Sequence, residues 1–562
     1  MKIKTLNLFW ISPDKKVFAL IIALPVIINS LLLIRLGTDL VLQAYSLAAA
    51  VLLTLTGLVM LGERGVRIPD LITRFIAAFL VGLITFTALN FILLHVNSPK
   101  FARAVNALFF LFFLILGVTR RKHLFPPLPR VTVSGANIAW ILLLSLVLSF
   151  TTSYGFFNNP RGPASKNRFR NASFLLHPQQ QVPNWGWNKD KRLHMVLWCN
   201  EIARGGLPGE ELQPNAIQVF FVSLARLKSS WNGGCAIELY KCLSLLIFFS
   251  FLYSIAFIGK YFFAADRVET ALTVAAVPFF GAINYPLLFA KHSSYMGFFL
   301  AGTTMYHSIT QVFCLMIGAA GIILILLPAQ DRRSTFAYGC FLITGSFFFK
   351  PSLFAVGAPV IILIFLFYKR VPLSDKLRGF GLLLAPPLFW WIYRAAYSLH
   401  AHEVPIAFKP FLVLGYYAAY HFPASILKSH GLRNLLIVIF SFALFIPILI
   451  DLFITALSSR RKRSPRRDQH LSFRLPEFFF TLLFFLSTLS YALLVQNNNF
   501  WKFGNFGWGA AAGLVLFLPL LVTCMMRIRL TALRVVAGLL FCLHLWGGLY
   551  QLYIFTFRGV IF

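Results

Sequence analysis

Apolar runs of about 20 residues recur along the whole chain and constrain its fold more than any other feature. Of the 562 residues, 59% are hydrophobic and only 12% are charged, which leaves more apolar surface than soluble domains can cover. Inside a bilayer, helices satisfy their own backbone hydrogen bonds, and runs of this length fit helices that cross about 30 Å of hydrocarbon. The sequence therefore predicts an all-α fold, a polytopic transmembrane helical bundle.

About fifteen runs are long enough to span the membrane. They lie near residues 17–35, 40–62, 75–96, 104–119, 136–153, 242–259, 270–290, 309–327, 335–349, 352–368, 379–397, 434–456, 477–495, 508–526 and 534–555. The first run follows MKIKTLNLFWISPDKK without a small-residue cleavage site, which indicates a retained span rather than a removed signal peptide. The short pair on either side of Lys350 also fits a broken or re-entrant helix.

Lysine and arginine alternate from one connection to the next, which predicts the topology. Starting with Lys2 and Lys4, every second connection carries a basic cluster: Arg64 and Arg67; Arg120, Arg121, Lys122 and Arg130; Lys260 and Arg267; Arg332 and Arg333; Lys369, Arg370, Lys376 and Arg378; Arg460 to Arg467; Arg527 and Arg529. Cytoplasmic loops are enriched in these residues, so we expect these connections to be cytoplasmic and the others extracytoplasmic. Topology and contacts with anionic membrane lipids then explain the net charge of +34, so nucleic-acid binding is not needed to account for it.

This topology predicts the organisation of the chain. It comprises N-terminal transmembrane helices (1–153), an extracytoplasmic loop with an active-site helix (154–240), central transmembrane helices (241–457), a basic cytoplasmic loop (458–476) and C-terminal transmembrane helices (477–562). Two further outer segments lie at 398–433 and 496–508. The unusual polar residues collect on the outer side, so we expect the chemistry there. The apolar stretch from Ala216 to Leu227 is too short to span and is expected to lie at the interface or to re-enter.

The longest outer loop contains a predicted short helix over residues 188–204, ended by a Gly-Gly-x-Pro turn. At about 100° per residue, Asp190, His194 and Glu201 project from nearly the same side of this helix. A carboxylate at a partly desolvated membrane edge suits a general base, for which Asp190 is the first candidate and Glu201 the second. His194 fits a role in orienting the acid, binding phosphate or relaying a proton.

The same residues have structural alternatives. Asp190 lies between Lys189 and Lys191 and also fits an ordinary solvated ion-pair face. Cys199 and Cys235 are the cysteines of the long polar loop, and they can pair on an oxidising side or remain unpaired. The sequence contains no zinc-site spacing, phosphate-binding loop or dinucleotide fingerprint, which disfavours ATP-driven chemistry. The two carboxylates can hold a divalent cation but do not require one, so no cofactor is assigned.

The order of Asp190, His194, Gly-Gly-x-Pro and the Pro-led segment PNAIQVFFVSLARL resembles the first large outer loop of bacterial GT-C-type membrane glycosyltransferases. Three later segments resemble parts of such proteins: TMYHSITQVFCLMIG, GSFFFKPSLFAVGAPV and NNNFWKFGNFGWGAAAGL. The resemblance implies an enzyme of cell-envelope polysaccharide biosynthesis in the bacterial cytoplasmic membrane. It implies transfer of a sugar from a polyprenyl-phosphate donor to an extracytoplasmic glycan, lipid or protein acceptor.

A polyprenyl-phosphate donor requires cations for its phosphate and surfaces for its sugar. The outer-side cations available for the phosphate are Arg168, Arg170, Lys189, Arg192, Lys350 and Lys502. Lys350 follows three phenylalanines at a membrane boundary, where a cation is costly unless it snorkels or binds an anion. Trp187 and Trp501 can stack on sugar rings, although tryptophans near span ends are usually interfacial anchors.

Two other classes of function fit the sequence. One is an O-antigen-type glycan polymerase or ligase, which would use outer-loop Arg and His on a polyprenyl-diphosphate substrate. The other is a non-enzymatic transporter or flippase, whose sites commonly lie at the bilayer midplane. Acids are scarce inside the predicted spans, and Asp451, the main candidate, lies near a cytoplasmic end. This scarcity favours outer-surface chemistry over ion-coupled transport.

Overall fold

A computed structural model describes residues 40–63, 70–93, 99–120, 216–227, 234–280, 309–327, 332–368, 371–396, 406–409, 442–461, 475–496 and 504–553, with a few isolated positions between them. The helices are α1 (Leu40–Glu63), α2 (Leu71–Leu93), α3 (Pro99–Thr119), α4 (Ala216–Leu227), α5 (Gly234–Phe257), α6 (Arg267–Phe279), α7 (Ile309–Leu326), α8 (Arg332–Phe349), α9 (Pro351–Phe367), α10 (Leu373–Ala396), α11 (Phe445–Arg461), α12 (Leu475–Leu493), α13 (Gly504–Met526) and α14 (Thr531–Tyr553). A π-helical turn, Ile258–Phe262, extends α5, and two short strands, β1 (Ile406–Phe408) and β2 (Leu494–Gln496), form a ribbon.

The helical membrane protein expected from composition is confirmed for the described part of the chain. Seven of its helices, α1, α2, α3, α5 with its π-helical turn, α12, α13 and α14, are long and apolar enough to cross a membrane. Shorter apolar helices lie within α7, α8, α9 and α11. Helices occupy all or part of every predicted run except 17–35 and 136–153, which lie almost wholly outside the described residues. The total of about fifteen spans therefore stays a prediction.

Contacts between loops bring the predicted cytoplasmic connections to one end of the bundle. Arg527, just after α13, forms a 2.9 Å ion pair with Glu269 in the first turn of α6. The N–H of Arg529 donates to the Asp451 carboxylate of α11 at 3.1 Å. We call this the basic end. Its composition agrees with the alternation of basic loops, whereas the compartment that it faces stays a prediction.

The basic end also includes one end of each of four further helices, α1, α8, α9 and α10. The hydroxyl of Tyr338, near the start of α8, donates to the carbonyl of Met60, near the end of α1, at 2.8 Å. The ammonium of Lys376, at the start of α10, donates to the carbonyl of Leu366, at the end of α9, at 3.1 Å. Phe336 of α8 contacts Phe365 of α9 with ring centroids 4.9 Å apart, and the first turn of α9 packs against Gly509 near the start of α13, the helix that ends just before Arg527. Helices α8 and α9 are therefore two antiparallel helices that both reach the basic end and meet at Lys350 on the other side. We call that opposite side the Lys350 end.

Two predicted outer segments come together at the Lys350 end through the ribbon. Strands β1 and β2 are antiparallel, and Ile406 pairs with Gln496. Strand β2 begins directly after α12, whose other end lies near the basic end, where Phe480 contacts Phe263. The segments predicted at 398–433 and 496–508 are thus joined in space, as a shared side of the membrane requires.

The helices form an inner and an outer layer. In the candidate spans of α5 and α13, 89% and 83% of the residues are buried, compared with 22% in α3 and 28% in α14. On α3, Leu111, Phe112 and Ile115 are exposed. An exposed apolar face on a span is expected to contact lipid. Helices α5 and α13 therefore lie in the core, and α3 and α14 lie at the periphery.

The short helix α4 lies inside this core. Its residues Phe220 and Phe221 are fully buried, and α4 packs against α2 and α5. The hydroxyl of Tyr45 on α1 donates to the carbonyl of Leu224, which fixes α4 against the bundle. Of the two alternatives predicted for this stretch, burial against candidate spans favours re-entry over a position on the interface.

Candidate functional site

Lys350 alone among the predicted site residues lies within the described part of the chain. It occupies the corner between α8 and α9, and it is 6% exposed. Its N–H still closes α8 by donating to the Ser346 carbonyl at 2.9 Å, whereas Pro351 opens α9. Proline suits the first position of a helix because its missing N–H would have no partner there. The local sequence Phe-Lys-Pro-Ser therefore fixes a cation between two helix ends.

The corner is buried against helix α7. The thiol of Cys314 on α7 donates to the Lys350 carbonyl at 3.1 Å, and the ring of Phe313 stacks on Phe349 with centroids 5.3 Å apart. Cys314 lies more than one turn after Ile309, the first residue of α7. At 1.5 Å per residue, this places the Lys350 backbone about 7.5 Å from the start of that helix. The corner is therefore packed against the side of α7.

Polar groups from α7 and α9 surround the corner, and α13 packs closely against it. The hydroxyl of Ser352 donates to the Gln311 side-chain oxygen at 3.0 Å, and the N–H of Leu353 faces the sulfur of Cys314. On α13, Gly509 allows close approach, since a Cβ there would lie 3.1 Å from the carbonyl oxygen of Ser352. The N-terminus of α9 carries about half a positive charge and the C-terminus of α8, at the same corner, about half a negative charge, so the net positive charge comes from the lysine ammonium. A buried site with this charge suits an anion.

The position of Lys350 differs from that of the other buried charged side chains. Among the described residues, the others lie at the basic end: Asp70, Arg74, Glu269, Asp375, Lys376 and Asp451. Several of them cap or join helices there, and Asp70, for example, accepts the N–H and hydroxyl of Thr73 at 2.7 and 2.6 Å. Burial raises the pKa of Asp70, and those hydrogen bonds oppose the shift. Within the described part of the chain, Lys350 is thus the buried charge at the opposite end.

Comparisons with protein-family models, with curated proteins and with solved structures found no match. The interpretation of the site therefore depends on its own chemistry.

The remaining predicted site residues lie outside the described residues. They are Asp190, His194, Glu201, Arg168, Arg170, Lys189, Arg192, Lys502, Trp187 and Trp501. In the sequence, Trp501 and Lys502 immediately precede α13, the helix whose Gly509 packs against Ser352. Among the described residues, no three His, Cys, Asp or Glu side chains come together as a metal site, and the proposed pair of Asp190 and Glu201 lies outside them.

Sequence reasoning missed the side chains around Lys350. Gln311 and Cys314 belong to the segment TMYHSITQVFCLMIG, whose first residues are polar. The sequence analysis gives these two residues no role. Ser352 completes the Lys-Pro-Ser segment. A polar side chain in the first turns of an apolar helix indicates a buried polar contact, because burying it without a partner is costly. This pattern does not identify the partner, which lies on another helix.

Proposed function

We propose that this chain is an integral membrane glycosyltransferase. It moves a sugar from a polyprenyl-phosphate donor to an extracytoplasmic glycan, lipid or protein acceptor. The observation that carries the proposal is the buried Lys350, at the N-terminus of α9 and at the end of the bundle opposite the basic loops. If the basic end is cytoplasmic, as the positive-inside rule predicts, the lysine faces the side on which lipid-linked sugars are used.

In this proposal, Lys350 binds the donor phosphate and stabilises it as it leaves. The acceptor hydroxyl oxygen attacks the anomeric carbon while the bond from that carbon to the phosphate oxygen breaks. The electron pair departs with polyprenyl phosphate, whose developing charge the ammonium and the α9 N-terminus favour. Asp190 is the proposed base that takes the hydroxyl proton, Glu201 is the second candidate, and His194 orients the acid or relays the proton.

The other outer-side residues have supporting roles in the proposal. Arg168, Arg170, Arg192 and Lys502 supply further positive charge for the phosphate. Trp187 and Trp501 stack on sugar rings. A divalent cation between Asp190 and Glu201 is compatible with the reaction, but the proposed steps do not use one.

Replacing Lys350 with methionine is expected to raise the KM for the donor by about 10- to 100-fold, because a hydrogen bond to a charged group contributes about 1.5–3 kcal/mol. Methionine keeps most of the side-chain volume, so the fold is retained. The measurement is transfer of radiolabelled sugar from polyprenyl phosphate to a membrane acceptor, with kcat and KM determined separately. We expect kcat at saturating donor to fall as well, because the ammonium also stabilises the charge that develops on the leaving phosphate.

Lys376→Met is the matched control for this experiment. Lys376 is also nearly buried, but it lies at the basic end, where its ammonium donates to the Leu366 carbonyl. Its loss is expected to lower thermal stability and to leave the donor KM unchanged. An equal rise of KM in both variants, or none in Lys350→Met, would remove Lys350 from donor binding.

An O-antigen-type polymerase or ligase is the main alternative, because the proposed phosphate site at Lys350 also suits a polyprenyl diphosphate. The same assay separates the two classes by the donor that the protein consumes. A transporter or flippase has less support. Asp451 accepts the N–H groups of Arg529 and Leu530, and it therefore supports the start of α14 rather than a midplane site.

A further inference from the structure

The β1–β2 ribbon is held at the last turn of a candidate membrane span. Strand β2 follows α12 without an intervening residue. The N–H of Lys409, just after β1, donates to the carbonyl of Leu493, the last residue of α12, at 2.9 Å. The end of a span marks the boundary between hydrocarbon and headgroups. The ribbon therefore lies at the depth of the membrane interface, at the Lys350 end.

The two faces of β1 differ. Side chains alternate along a strand, so Ile406 and Phe408 share one face and Ala407 lies on the other. Ile406 is 64% exposed and Phe408 is 69% exposed, whereas Ala407 is partly buried. Lys409, the next residue, is exposed. Two large apolar side chains thus share the exposed face of the ribbon, and an exposed lysine directly follows them.

The span α12, to which the ribbon is attached, also exposes apolar side chains. Only 33% of the α12 span is buried, and Phe485 and Leu489 are exposed on it. Leu489 lies one turn before the end of α12, where the ribbon begins. On a span, such residues contact acyl chains. The apolar residues of α12 and those of β1 therefore lie near the same membrane boundary.

We propose that the β1–β2 ribbon is an interfacial membrane anchor. Ile406 and Phe408 insert into the leaflet at the Lys350 end, between the acyl chains and the headgroups, and the Lys409 ammonium contacts lipid phosphate. Apolar and aromatic side chains beside a basic residue are the groups that favour this zone. The anchor does not depend on the proposed transferase activity, and it would hold two outer segments against the bilayer.

The test places the photoreactive residue p-benzoylphenylalanine at position 408 of the full chain. The protein is reconstituted in nanodiscs of phosphatidylcholine and phosphatidylglycerol with deuterated acyl chains and then irradiated. Position 406 is a second variant on the same face, and position 407 is the matched control on the other. Intact-mass and peptide-mass measurements identify what each position has captured.

We expect positions 406 and 408 to gain the mass of one deuterated phospholipid, with several times more lipid adduct than position 407. Position 407 is expected to cross-link mainly within the chain. Capture of a second copy of the chain, or of a distant segment of the same chain, at positions 406 and 408 would overturn the proposal. Equal lipid capture at 407 and 408 would overturn it as well, because the two faces would then be equivalent.

Discussion

Arg527→Ala is expected to destabilise the folded protein by about 3 kcal/mol, because it leaves a buried carboxylate without its cation. The Glu269 side chain is 4% exposed, and Arg527 holds both of its oxygens at 2.9 Å. Arg527 also donates to the carbonyl of Ala264, a residue with a positive φ of 51° between α5 and α6. The hydrogen bonds to Glu269 raise the pKa of Arg527, which stays charged throughout.

The reverse change, Glu269→Gln, is the matched control and is expected to cost about 1 kcal/mol. The Arg527 side chain is 50% exposed, so its charge can be hydrated when the carboxylate is lost. The measurement is the fraction of purified protein that remains monodisperse after heating in detergent. Equal losses in the two variants would contradict the view that desolvation of Glu269 causes the asymmetry.

Gly82→Leu is expected to prevent normal packing of α1 on α2, with a cost of at least about 1–3 kcal/mol. A Cβ at Gly82 would overlap the Leu53 carbonyl, and one at Gly57 would overlap the Ala78 carbonyl. The two helices thus approach closely at two glycines, and their backbones would have to separate to accept a side chain. Small residues permit this kind of approach between membrane helices.

Gly538→Leu is the control for this prediction. Gly538 lies on the peripheral helix α14, and a Cβ there would meet no atom within 4 Å. Leucine also has a higher helix propensity than glycine, so this variant is expected to be at least as stable as the wild type. Expression level and monodispersity in detergent are the measurements. Normal behaviour of Gly82→Leu would show that α1 and α2 do not pack as closely as described.

The helices were predictable from sequence because their signals are local. A long apolar segment predicts a span, and Lys and Arg in the short connections predict which side each connection lies on. Each end of α1, α5 and α13 lies within eight residues of the corresponding end of the predicted run. The π-helical turn Ile258–Phe262 and the ribbon were not predicted. The ribbon joins Ile406 to Gln496, and such long-range pairing depends on where two loops meet after the bundle has formed.

The candidate site was predictable to a smaller extent. Lys350 was singled out because a cation beside three phenylalanines is costly unless it is compensated, and the structure buries it at a helix N-terminus. Its neighbours Gln311 and Cys314 lie on α7, and no local pattern predicts that α7 packs against that corner. The ion pair between Glu269 and Arg527 was not predicted either, because its partners come from distant parts of the chain. The sequence analysis treats Arg527 only as part of a basic loop and assigns no role to Glu269.

Binding of polyprenyl phosphate to the purified protein tests the proposed phosphate site at Lys350 most directly. Native mass spectrometry of wild type, Lys350→Met and Lys376→Met, each titrated with the lipid, reports affinity without requiring an acceptor. We expect one saturable lipid on the wild type and on Lys376→Met, and affinity lower by at least about tenfold on Lys350→Met. Equal affinity for all three proteins would contradict a phosphate site at Lys350.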